Sequence, residues 1–157
     1  MSRARFPWWL AALPVILMGT GIPRRSAAQE KPGASSKAIA ERASKELEDV
    51  LFDFGKSALR AEMRAVIARN ARVLKAMLDD YPNMIVEAEG YAEDREETDL
   101  ELADRRATVV KELLVQLGFP DDRLDTGAIG HGRPPCTTAD EECRSRRRRV
   151  HFVAHDQ

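Results

Sequence analysis

The chain has 157 residues, enough for one domain with its own core and too few for two comfortable ones. A hydrophobic fraction of 43% and a charged fraction of 32% describe a globular protein and exclude a fibrous or disordered one. The formal net charge of −1 conceals a split: residues 1–28 hold four arginines and no acid, so residues 29–157 carry 21 bases against 26 acids and lack the basic footprint that general nucleic-acid binding needs.

Met1–Arg5 is a cationic start, and Phe6–Ile22 is an apolar run of 17 residues. Ser26-Ala27-Ala28 then places small residues where a signal peptidase cuts. Residues 1–28 read as a secretory signal cleaved before Gln29 or, if uncleaved, as an anchor near the lower length limit for a membrane span. Either way the body is exported, and no cysteine lies near residue 28 to carry a lipid. Residues 29–45 form a linker and lead-in helix: Gln29–Ser36 is a Pro/Gly/Ser tether, and Lys37–Glu48 is charged and helix-prone. The body proper spans residues 46–157.

Within it, Val50–Phe54 is a short apolar strand ended by Gly55. From Leu59 to Leu78 apolar residues recur with a 3.6 period, which predicts an amphipathic helix stopped by Pro82-Asn83. Met84, Val86 and Ala88 alternate with acids, a half-buried strand ending at Gly90. A loop over Tyr91–Thr98 leads to a second helix reaching about Leu117, where Gly118 and Pro120 stop it. Arg123–Gly130 and Arg149–Val153 are the third and fourth strands. The fold class is α+β, a β-α-β-α-β-β sandwich with the helices on one face of a small mixed sheet. Phe54, Val66, Val86, Val110 and Phe152 are the expected core positions.

Two features carry chemistry. In the second helix, Leu102, Ala103, Ala107, Val110, Leu113, Leu114 and Leu117 define one apolar arc, and Asp99 and Arg106 fall inside it. Asp99 is either the helix N-cap or a pocket wall; Arg106 either snorkels to the rim or, with the helix-start amides, holds a ligand carboxylate. Cys136 and Cys143 bracket six residues in a polar stretch of an exported chain, which fits a disulfide. A zinc site with His131 or His151 is the alternative, and the spacings match no common zinc motif.

Phe52-Asp53-Phe54-Gly55-Lys56-Ser57-Ala58-Leu59, Glu89-Gly90-Tyr91-Ala92, Leu102-Ala103-Asp104-Arg105-Arg106-Ala107, Gly130-His131-Gly132-Arg133-Pro134 and the closing Arg148-Arg149-Val150-His151-Phe152 come in a recognisable order and spacing. They resemble the OmpA-like peptidoglycan-binding domain shared by the C-terminal half of OmpA, peptidoglycan-associated lipoprotein and flagellar stator proteins. The cysteine pair resembles one found in some of these lipoproteins. The resemblance implies a non-enzymatic domain that binds the diaminopimelate of peptide stems non-covalently and clamps envelope components to the wall. It implies ligand-binding roles for Asp53, Phe54, Glu93, Asp94, Asp99, Leu102 and Arg106. Arg106 would meet the diaminopimelate carboxylate, and Glu93, with Asp94 beside it, the ammonium. The chain departs from the family pattern around this pocket: Glu93 replaces a shorter Asp, Glu96 an expected Gly, Asp99 and Arg147 expected Asn residues, and the loop is two residues shorter.

The remaining signals read as structural. Arg146–Arg149 is a solvated helix end entering a strand. The acids of Glu93–Asp99 lack EF-hand spacing, and His131, His151 and His155 have no nucleophile partner with triad logic. No phosphate loop, metal motif or catalytic carboxylate pair is present, so neither an enzyme nor a cofactor is expected. The expected location is the periplasm or the periplasmic face of the outer membrane, and the expected partner is peptidoglycan, with other envelope proteins as further partners. Membrane contact would run only through residues 1–28. The alternative function is a periplasmic protein–protein scaffold on the same fold, its pocket neutralised internally by Glu93 or Asp99.

Overall fold

The computed structural model describes residues 32–96 and 99–157; the expected signal lies outside them. The described chain runs α1 (Pro32–Glu46), β1 (Val50–Leu51), α2 (Ala61–Asp80), β2 (Met84–Tyr91), α3 (Asp99–Gln116), β3 (Leu124–Gly130), α4 (Glu141–Arg147) and β4 (Arg149–Asp156). The four strands form one mixed sheet in the order β1-β4-β2-β3. β4 lies antiparallel to β1 and β2, and β2 lies parallel to β3, as the helical crossover α3 requires.

Alternation sets the core. Met84, Val86 and Ala88 point from β2 into the helices, with Phe152 and Ala154 beside them on β4. α2 answers with Ile67, Ala71, Leu74 and Met77, one face of its 3.6 period, and α3 with Val110 and Leu114. α1 begins earlier than expected and takes over part of the tether. It packs on β4 and lays Ile39 and Ala43 into the same core. Asn70, buried on α2, clamps the chain just before β1: its side-chain amide donates to the Glu48 carbonyl at 2.8 Å, and its carbonyl accepts from the Glu48 amide at 3.2 Å.

Two expected core positions differ. Phe54 is 51% exposed, because the chain leaves the sheet after Phe52 and turns, with the Lys56 amide donating to the Asp53 carbonyl and Gly55 at φ +66°. The strand alternation that would have buried Phe54 ends two residues before it. Val66 is only partly buried, on the shoulder of the α2 stripe.

One glycine fixes the spacing of sheet and helix. A Cβ built on Gly90 would lie 1.9 Å from the Ala103 carbonyl oxygen, so β2 and α3 touch backbone to backbone there. This contact places the C-terminal end of β2, and the loop that follows it, against the first turns of α3.

Candidate functional site

Arg106 sits on α3 and is completely buried, as its place in the apolar arc implies. Such a guanidinium is tolerable only if its donors are satisfied, and all five are. Nε donates to the Lys56 carbonyl at 2.9 Å, Nη1 to the Tyr91 carbonyl at 2.9 Å, and Nη2 to the Asp53 carbonyl at 3.1 Å. The two remaining donors form a fork on one carboxylate: Nη1 to Glu96 Oε2 at 2.9 Å and Nη2 to Glu96 Oε1 at 2.7 Å. The Phe52 ring lies 5.3 Å from the guanidinium carbon.

Glu96 is equally enclosed. Its Oε1 accepts from the Gly55 amide at 2.6 Å and its Oε2 from the Glu93 amide at 2.7 Å. Burial alone would push this carboxyl up, but the Arg106 fork and the two amides outweigh it and hold the group below the ordinary glutamate range. The turn after β1, the end of β2 and the face of α3 thus converge on one buried charge pair, a guanidinium–carboxylate fork made within the chain itself.

The acid expected to neutralise Arg106 internally was Glu93 or Asp99; the structure assigns Glu96 instead. Glu93 is fully buried and turned the other way. Its Oε2 accepts from Arg148 Nη1 at 2.7 Å, and its Oε1 pairs with Arg95. Asp99 begins α3, accepts from the Leu100 amide at 2.8 Å and pairs with His131 Nδ1, which holds its carboxyl below the ordinary aspartate range. Leu102 is buried on the Arg106 face of α3. Asp53 contributes its main chain to Arg106, while its exposed carboxylate lies 3.6 Å from Lys56 Nζ. Phe54 stands exposed at the rim, with Arg95 5.8 Å from its ring centroid. Asp94 faces away, into a neighbouring cavity of about 170 Å³ walled also by Tyr91, His131, Arg147 and Arg149.

The arginine run is not solvated throughout. Arg148 and Arg149 are each 6% exposed. Arg148 joins Glu93 to Glu141, and although burial opposes its charge, these two carboxylates raise its pKa. Arg149 lies 3.9 Å from the Tyr91 ring centroid and 3.2 Å from Asp49. Tyr91 in turn donates to buried Glu89 at 2.7 Å; burial and this bond push its hydroxyl up to about 12. Cys136 and Cys143 are joined by a disulfide, which closes the segment before β4 and leaves no thiol for zinc. Arg147 donates to the carbonyls of Cys136 and Thr138 at 3.3 Å, so the arginine standing in an expected Asn position ties down the disulfide loop.

Comparison with known proteins agrees with this architecture. The OmpA family model matches residues 51–148. A peptidoglycan-associated lipoprotein of Rhizobium meliloti (strain 1021) is 33% identical over 103 residues, which cover 64% of this chain and 56% of that protein. Outer membrane protein A of Bordetella avium is 30% identical over 130 residues, 83% of this chain and 63% of that protein. The chain therefore spans little more than half the length of these curated relatives. Among solved structures, the peptidoglycan-associated lipoprotein from Burkholderia pseudomallei superposes with a TM-score of 0.60 at 26% identity, covering 68% of this chain and 89% of that one. The C-terminal domain of Helicobacter pylori MotB, at 22% identity, shares the fold with a TM-score of 0.63 over 71% of this chain and 86% of that one. With the family model matching from the end of β1 through α4 and solved members sharing the fold, the chain belongs to the OmpA family.

Proposed function

We propose that this chain binds peptidoglycan non-covalently through the diaminopimelate of the peptide stem, and so anchors an envelope component to the wall. The observation that carries the reading is the OmpA family match over residues 51–148, shared with relatives named as peptidoglycan-associated lipoproteins. The Arg106 fork supplies the geometry for it: a buried planar guanidinium held by three main-chain carbonyls, with its other two donors on one carboxylate, at present the chain's own Glu96. The relatives named for association with peptidoglycan, and the family shared with them, favour this reading over the scaffold. Diaminopimelate presents an ammonium beside its carboxylate. Because Glu93 is buried on Arg148 and Arg95, the reading gives the ammonium to Asp53, whose half-exposed carboxylate would exchange its partners Lys56 at 3.6 Å and Arg60 at 3.9 Å for it. Among the described residues the two cysteines are bonded to each other, and His131 and His151 contact Asp99 and Asp49. No helix among the described residues is long and apolar enough to cross a membrane.

The test removes the receptor without stranding a charge. Glu96→Ala/Arg106→Ala deletes both members of the pair, and melting curves verify that it is folded. Purified sacculi should retain the wild-type chain and release the double variant. Equal retention of both would refute diaminopimelate recognition at this site.

A further inference from the structure

Both ends of the expected ligand already have stand-ins. Arg106 holds Glu96 in a two-pronged pair with both side chains fully buried, and Glu93 holds Arg148. Glu96 is no incidental neighbour. Its two oxygens receive two guanidinium and two amide donors, the set that a bound carboxylate would receive. The carboxylate-holding side of Arg106 is thus occupied by the chain's own Glu96.

We propose that Glu96 is a built-in ligand mimic that competes with the stem-peptide carboxylate for Arg106 and thereby sets the affinity of this chain for the wall. The proposal rests on the peptidoglycan reading above. Its logic is that of a binding-competent state populated only in part: the apparent dissociation constant rises by the inverse of the fraction in which Glu96 has left Arg106. Binding is then a net exchange of one carboxylate for another on a fixed guanidinium, and the cost of the state in which Glu96 has left Arg106 is what lowers the affinity.

The experiment is equilibrium co-sedimentation with purified sacculi at neutral pH and fixed ionic strength, comparing the wild-type chain with Glu96→Gln and Glu96→Ala. Glu96→Gln keeps the side-chain volume and one acceptor but loses the charge, so it remains informative should the alanine variant fail to fold. The proposal expects either folded variant to bind at least about tenfold more tightly than wild type. Folded variants that bind no more tightly than a retained wild type would overturn the mimic and leave the wall-binding reading standing. Absence of retention for wild type and folded variants alike would sink the wall-binding reading, and the mimic with it.

Discussion

At the scale of single residues, the Arg106–Glu96 pair dominates the site. Neither charge has access to solvent, so the attraction between them is unscreened and each is costly without the other. Arg106→Ala should therefore lower stability by about 3–5 kcal/mol, the cost of leaving a carboxylate buried and unpaired. The Glu96→Ala/Arg106→Ala double variant should lose much less, so that chemical denaturation of the two singles and the double gives a large positive coupling between the sites. A titration separates the charge from the packing. The Glu96 carboxyl is depressed in the fold, so its contribution is complete above the unfolded value of about 4.3 and is lost as pH falls through the lower folded one. The gap in unfolding midpoint between wild type and Glu96→Gln should hold steady from pH 7 to 5 and narrow below about pH 4; a gap unchanged down to pH 3 would show that the carboxylate is not the stabilising species. Arg106 was legible in the sequence because a charged residue inside an apolar arc must find a partner. Its partner was not legible. Glu96 lies in a loop, outside any periodicity, and its proximity to Arg106 depends on how the turn after β1 and the end of β2 close around α3.

At the scale of elements, the close approach of β2 and α3 is what brings that loop to Arg106. Only glycine fits at position 90, because any Cβ there would lie 1.9 Å from the Ala103 carbonyl oxygen, so Gly90→Ala should push the helix off the sheet and destabilise the domain by about 3 kcal/mol or more, the upper end of overpacking costs. Calorimetry should show the loss, and the Arg106 seat, which spans both elements, should lose sacculus retention with it. The long elements α2, β2, α3 and β4 were legible because each repeats its own period over many residues. The helix α4 and the burial of two arginines were not. α4 occupies a short polar stretch with no apolar stripe and depends on the Asp140 N-cap, whose side chain accepts from the Cys143 amide at 2.8 Å, and on the disulfide nearby. Buried Arg148 and Arg149 looked like surface in a run of four bases, because their partners Glu93, Glu141 and Asp49 come from three separate segments.

At the scale of the whole molecule, the fold gathers the Arg106–Glu96 pair where the turn after β1, the end of β2 and α3 meet, and α1 belongs to the same body: it packs on β4 and lays Ile39 and Ala43 into the core. The family affiliation was readable from motifs that coincide with structural necessities: Gly90 at the helix contact, Gly55 at the turn, Arg106 in the arc. The measurement that bears most directly on the account is displacement from the wall. Wild-type chain bound to purified sacculi should be released progressively by free meso-diaminopimelate and left in place by equal concentrations of 1,5-diaminopentane, which keeps the two ammonium groups and the carbon chain but has no carboxylate for Arg106. Release by the diamine as readily as by meso-diaminopimelate, or by neither, would contradict the claim that Arg106 grips the stem-peptide carboxylate.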